Sequence, residues 1–384
     1  MDKIFMTARQ LLIESGSHAP GVCAADFNVG PGGGLRIERV ADVLRPVLSS
    51  YTVFDSDSDL YPNSKNWMLP NWARIWIGLT ADLFDVSIGS RRYARVGTAS
   101  LIGVTSRGMP LTTYGGRSIA IDIAPLAWAR LFAPSAESLR DRITPLAELV
   151  PAGWSEDLIA RVVESERGTD LKFILDAFFL ERLPPAHAQE AMLARILALL
   201  TDPETNDLSG AAAQVGIDNR LLLRLTKQYF GFPPKILLMR TRFLRALTAM
   251  AVDCGKPDFS VAPPGYHDNS HFIRDSNRFL GMTPRRFLAL ELPYLRTIAR
   301  AHAGNGSRDI VARQGELSIL LRANGGFCDK RTFGDDSAND RGWVASNTSP
   351  ISTPENKWVQ GLRPCLPEAL LPKKQLSRSP CRAS

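Results

Sequence analysis

The chain has 384 residues, 45% of them apolar, with a formal net charge of +7 and five cysteines. That length can bury ordinary cores and allows two domains or more. No apolar run reaches the roughly 18 residues of a membrane span, "MDKIFMTARQLLIESG" lacks the unbroken apolar segment of a secretory signal, and no CxxC pairs the cysteines, so a cytoplasmic protein with free thiols and no membrane partner is expected.

Residues 1 to about 150 carry short apolar stretches divided by turn residues. "NWARIWIGL", "ASLIGVT" and "RSIAIDIAP" read as strands; "GPGGG", "YPNS", "SRGMP" and "YGG" read as the breaks between them. Ile119, Ile121 and Ile123 alternate with Ser118, Ala120 and Asp122, which predicts a strand with one face buried. From Ser155 the spacing turns helical, through Leu158, Ile159, Val162 and Val163, then Leu171, Ile174, Leu175, Phe178 and Phe179. These two helices fit packing on their own sheet at least as well as a homodimer seam. "LPPAH" then forms a stiff connector at Pro184 and Pro185. The expected fold is α+β and multidomain: a sheet-rich sensor-like or oligomerisation domain over 1–185, then an all-α domain over 188–300.

The second domain opens with the helix "AQEAMLARILALL". Asp207 can cap a short helix in "LSGAAAQ", and after a "VGI" turn Asp218 can cap a third in which Leu222, Leu225 and Tyr229 share a face. A short helix, a Gly-containing turn and a second helix form a helix-turn-helix. Pro234 can start a longer helix, "PKILLMRTRFLRALTAMA", facing Leu237, Phe243, Leu244, Leu247 and Met250 inward. Beyond it "DNSHFIRDSNRFLGMTP" repeats "DNRLLLRLTKQYFGFPP" at an offset of fifty, with five of 17 positions identical: Asp218/Asp268, Asn219/Asn269, Arg224/Arg274, Gly231/Gly281 and Pro234/Pro284. One supersecondary unit is used twice. Residues 303–384, dense in Ser, Asn, Gly, Pro and charge, are expected to be disordered.

Basic residues exceed acidic ones only late in the chain. Residues 1–200 hold 20 Lys and Arg against 22 Asp and Glu, whereas 201–302 hold 14 against 9. An excess of this size on the repeated segment is compatible with phosphate contacts.

At "GYHDNSHFIRDSNRFLGMTPRRF" the sequence resembles the AraC/XylS family of bacterial transcription regulators. Their second helix-turn-helix commonly reads G-Y-x-D-Q-S-H-F-x-R followed by G-x-(S/T)-P, and Gly265, Tyr266, Asp268, Ser270, His271, Phe272, Arg274, Gly281, Thr283 and Pro284 match. The first unit resembles it through the alanine of "AAAQVG", Gly216, Leu222, Arg224, Gly231 and Pro234. The resemblance implies a seven-helix DNA-binding domain whose two recognition helices enter successive major grooves, about 34 Å apart. On matching positions the base-reading face falls on Arg220, Leu223 and Arg224, and on Asn269, Ser270, His271 and Arg274. Arg suits guanine and Asn adenine, while Lys227 and Arg278 suit phosphates.

Three departures from the family pattern stand out. Asn269 replaces the motif's Gln; Thr226 and Ser276 stand where Phe is usual; and Pro263 and Pro264, with one residue fewer, should break the helix that supports the second unit. The implied partners are double-stranded promoter DNA, a small-molecule effector on the first domain, a homodimer and, for an activator, RNA polymerase.

The remaining motifs point to no cofactor and no reaction. His267 and His271, four apart, lack a third metal ligand, and "GPGGG" lacks the Lys-Ser/Thr of a phosphate loop. Trp67, Trp72 and Trp76 fit a sheet core more readily than a ligand pocket. Two alternatives stay open: a degenerate relative with weak or no DNA binding, and a small-molecule enzyme with a helical regulatory appendage.

Overall fold

The computed structural model describes residues 13–79, 84–165, 170–202, 205, 210–252, 259–263 and 265–303. The tail from residue 304, Asp207, Pro264 and every cysteine but the exposed Cys23 lie outside the described residues.

Two antiparallel sheets form the N-terminal region. The six-stranded sheet runs β1 (Gly33–Glu38), β2 (Leu48–Ser56), β9 (Gly116–Ile123), β4 (Arg74–Gly78), β7 (Ala99–Ile102) and β10 (Ile143–Pro145) in spatial order. The four-stranded sheet runs β3 (Ser64–Met68), β8 (Met109–Thr113), β5 (Phe84–Ile88) and β6 (Arg91–Tyr93). Trp76 and Ala120 of the first pack with Phe84, Val86, Met109 and Leu111 of the second, so the sheets form a sandwich.

Strand β9 corrects the expectation of one buried face. Ile119, Ile121 and Ile123 point into a core shared with helices, and Ala120 points into the inter-sheet core. Asp122, on the inter-sheet side, is 2% exposed and is matched there: Arg74 Nη2 donates to its Oδ1 at 2.7 Å and Ser50 Oγ to its Oδ2 at 3.0 Å. The glycine run was read as a break, yet Gly33 and Gly34 begin β1. There Gly34 runs so close to Ile13 that an added Cβ would lie 2.9 Å from the Ile13 carbonyl.

The helices follow. A short α1 (Pro125–Leu131) crosses the sheet, and α2 (Trp154–Glu164) and α3 (Leu171–Arg182) close the first region. Leu158, Val162, Leu171, Leu175, Phe178 and Phe179 pack on the sheet, while Val163, Phe173 and Leu180 remain exposed. Then come α4 (Glu190–Thr201), α5 (Ala211–Gln214), α6 (Asn219–Phe230), α7 (Pro234–Val252), α8 (Asn269–Leu280), α9 (Pro284–Leu288) and α10 (Pro293–Ala303). The residue preceding α5 is Gly210, in left-handed backbone, and it occupies the cap position assigned from sequence to Asp207.

One hydrophobic core passes straight through the Pro184–Pro185 connector. Ile75, Ile121, Val104 and Trp72 of the sheet region share it with Leu193 and Ile196 of α4, Leu222, Leu225 and Phe230 of α6, and Leu237 of α7. A second core gathers Phe243, Leu244 and Leu247 of α7, Phe272 and Phe279 of α8, and Phe287 of α9. Helix α7 therefore changes cores midway.

The side chain at the changeover is Arg240, fully buried. Its Nη1 donates to the carbonyl oxygens of Thr105 at 2.7 Å and Asn71 at 3.2 Å, and its guanidinium lies 4.4 Å from the centre of the Trp72 ring. A buried charge is tolerated only with such matching, and the planar guanidinium supplies both edge donors and a stacking face. Replacing it strands two buried carbonyls. Arg240→Met is expected to lower the unfolding free energy by about 2–4 kcal/mol in urea titrations, and Arg240→Lys to recover only part of that loss. Wild-type stability in both variants would show that the contact is idle.

Candidate functional site

Helices α6 and α8 are built to the same plan. At the start of each, an aspartate accepts a hydrogen bond from the backbone N–H three residues on: Asp218 from Leu221 and Asp268 from His271, both at 2.7 Å. This satisfies one of the donors that every helix start leaves open. At the end of each, Gly231 (φ 79°) and Gly281 (φ 74°) adopt left-handed backbone, which costs a residue with a Cβ and here stops the helix.

Between these marks the two helices bury corresponding residues. Leu222, Leu225, Thr226, Tyr229 and Phe230 are buried in α6, and Phe272, Asp275, Ser276, Phe279 and Leu280 in α8. The exposed stripes correspond as well: Arg220, Leu223, Arg224 and Gln228 against Ser270, Ile273, Arg274 and Arg278. Leu223 and Ile273 are 41% and 40% exposed, each directly before the repeated arginine. Ile273 had not been singled out from sequence; the fifty-residue offset from Leu223 was the signal that could have found it.

The supports of the two helices differ. Helix α6 rests on the sheet-region core, and the backbone N–H groups of Ala136 and Glu137 donate to the carbonyls of Gln228 and Lys227 near its end. Lys227 Nζ pairs with Glu137 at 3.1 Å, so this expected phosphate contact already has a partner. Helix α8 instead leans on α7, with Phe279 and Phe272 stacked on Phe243 at 5.2 and 5.8 Å. Its buried Asp275, in the place of Leu225, accepts from Tyr266 Oη at 2.9 Å and Arg242 Nη2 at 3.1 Å. Burial and then the neighbouring carboxylate hold the Tyr266 phenol well above its ordinary pKa, so it remains a donor. The motif's tyrosine thus anchors the helix.

Several predicted contact residues are engaged within the fold. Asn269 Nδ2 donates to the Phe259 carbonyl at 2.9 Å, and His271 Nε2 lies 3.1 Å from Arg242 Nη2. His267 is exposed, apart from that cluster. Arg220, Arg224, Ser270, Arg274 and Arg278 remain on the exposed stripes, joined by the exposed Arg285 and Arg286 of α9, which sequence reasoning did not single out.

Thr226 and Ser276 are fully buried and find backbone partners, the carbonyls of Leu223 at 3.1 Å and Met282 at 2.7 Å. The space of the usual aromatic is therefore closed by hydroxyls. Before α6, the short α5 and a turn through Gly216 provide a supporting helix. Residues 259–263, ahead of α8, are not helical, as the proline run requires. Trp72 packs under Arg240 and against Phe230, whereas Trp67 and Trp76 line a cavity.

Neither a comparison with models of known protein families nor one with curated protein sequences returned a match.

The caps make a pH prediction. The His271 N–H, and then Arg274, hold the Asp268 carboxyl below its ordinary range. A depressed folded-state pKa stabilises the fold above the unfolded value of about 3.9, and that stabilisation is lost as pH falls through the folded value. Asparagine caps without ionising. The stability difference between wild type and Asp268→Asn in urea titrations is therefore expected to be constant from pH 7 to about pH 5 and to shift against wild type below about pH 4.

Proposed function

We propose that the chain is a cytoplasmic DNA-binding transcription regulator of the AraC/XylS type, catalysing no reaction, in which α6 and α8 are the recognition helices of a double helix-turn-helix that reads promoter DNA. The observation that carries this reading is the repeat of the exposed stripe. Two helices fifty residues apart bury corresponding positions and leave an exposed arginine after an exposed aliphatic residue at the same place.

The chemistry of that stripe suits the major groove. Arginine at 224 and 274 can donate bidentately to guanine O6 and N7, and Leu223 and Ile273 offer apolar contact to a thymine methyl group. Arg220, Arg278, Arg285 and Arg286 suit phosphates, which fix register and add salt dependence. Lys227 joins them only by leaving Glu137. The internal bonds of Asn269 and His271 give these residues the role of shaping the start of α8, leaving Ser270 and Arg274 for the bases.

A second reading, favoured by the lack of helix at 259–263, has α6 as the principal reader and α8 as the weaker one. The same variants separate the two. In selection from randomised duplexes followed by binding titrations, Arg224→Ala and Arg274→Ala are each expected to cost about 1–3 kcal/mol on the selected site, with little change on random DNA. Arg278→Ala should weaken both duplexes alike and reduce the salt slope by about one. Loss confined to Arg224→Ala supports the single-reader version; equal loss on selected and random duplexes from both arginine variants removes base readout altogether.

A further inference from the structure

A cavity of about 110 Å³ lies between the two sheets and helix α10. Its wall includes Asn66 and Trp67 of β3, Trp76 of β4, Leu111 of β8, and Tyr294 and Ile298 of α10. Two arginines also line it, and each is matched within the fold: Arg74 by Asp122, and Arg117 by the carbonyl and hydroxyl of Ser165 at 3.3 and 3.1 Å. No Asp or Glu side chain lines it. A guest there meets apolar and neutral polar groups.

Two polar atoms of that wall are fixed in place and make no hydrogen bond to protein: Asn66 Oδ1 and Trp76 Nε1. Asn66 is 9% exposed, and its Nδ2 donates to the hydroxyls of Ser64 at 3.2 Å and Thr113 at 3.3 Å, which orients the amide with its oxygen unused. Trp76 is 4% exposed and is held between Phe54, stacked at 5.5 Å, and Phe84 at 4.9 Å. A buried polar atom without a partner costs about 1–3 kcal/mol, so an acceptor and a donor kept rigid in one cavity wall are poised for a guest that supplies their complements.

We propose that this cavity binds a small uncharged molecule, of the size of one five- or six-membered ring, that carries both a hydrogen-bond donor and an acceptor, as a lactam or small cyclic amide does. The N–H of such a guest donates to Asn66 Oδ1 and its carbonyl accepts from Trp76 Nε1. The volume sets the size, since a dry cavity of about 150 Å³ holds one benzene ring.

The same wall holds α8 and α9. Trp67 packs edge-on against Phe287 at 5.7 Å, the Gly108 N–H ahead of β8 donates to the carbonyl of Phe279, and Leu69 beyond β3 belongs to the core around Phe272 and Phe279. Helix α10 is tied to the sheet region by Tyr294 Oη on the Asp55 carbonyl at 3.3 Å and Thr297 Oγ1 on the Asn28 carbonyl at 3.1 Å. Helix α6, by contrast, shares the first core and touches none of the cavity. Occupancy therefore tightens the seat of α8 to α10 and leaves α6 as it was. In the DNA-binding reading, on which only this regulatory meaning rests, the guest sets the pose of the second recognition helix against a fixed first one.

The test uses the full chain and 2-pyrrolidinone as the probe, with cyclopentanone (no donor) and cyclobutanecarboxylate (charged) as size-matched controls. Calorimetric titration is expected to show saturable lactam binding with Kd on the order of a millimolar, at least about tenfold weaker cyclopentanone binding, and none for the carboxylate. Asn66→Leu should weaken the lactam about tenfold and leave cyclopentanone unchanged. Leu111→Trp, which fills the cavity from the opposite sheet, should abolish both. Hydrogen exchange with saturating lactam should slow across 269–303 and stay the same across 219–230. Absence of saturable lactam binding, equal affinity for the carboxylate, indifference to Asn66→Leu, or protection equal in both segments overturns the proposal. None of these readouts involves DNA, so a chain that binds the lactam but no duplex refutes the DNA-binding reading and leaves the ligand site standing.

Discussion

The architecture turns on a guanidinium held in the interior. Arg240 sits where α7 leaves the core of the sheet region and enters the core of α8 and α9. Its partners, the carbonyls of Asn71 and Thr105 and the face of Trp72, all belong to the sheet region. An apolar residue there could slide along its neighbours at little cost. A buried charge cannot, because any displacement strips it of partners in a medium that solvates it poorly. The helix that spaces the two repeated units is thereby registered to the sandwich, and through it both units are placed.

Within that frame the two copies use one local code and two kinds of support. Aspartate caps, glycine stops and an identical offset of buried positions set the helices themselves. Leu222, Leu225 and Phe230 of α6 then dissolve into the large core, whereas α8 lies on a smaller one in which the Tyr266–Asp275–Arg242 cluster takes the place of an apolar contact. Apolar packing is indifferent to small rotations. A hydrogen-bonded cluster is directional, which compensates for the helix that the prolines remove ahead of α8.

Signals carried by neighbouring residues were legible in the sequence. The bounds of α6, α7 and α8 follow from Asp218, Gly231, Pro234, Asp268 and Gly281, each of which acts within a turn of its own position. Signals that depend on distant partners were not. Arg240 reads as one more helical arginine until the backbone 135 and 169 residues earlier is seen beneath it. Asp122 and Asp275 read as solvent-facing for the same reason. Strand β9 alternates as a half-exposed strand would, and only the second sheet reveals that Ala120 and Asp122 are covered too. On α8, the motif positions of Asn269 and His271 were evident, but not that their polar atoms are engaged within the fold.

The core that runs through the Pro184–Pro185 connector bears on how such a chain could be recombined. A proline-rich joint invites cutting, yet a cut there would bare Leu193, Ile196, Leu222 and Leu225 on one fragment and the sheet face they cover on the other. Exchange of the sandwich for a foreign one would succeed only if α4 to α6 travelled with it, leaving the seam inside α7. The unit of inheritance in this architecture is larger than its linker advertises.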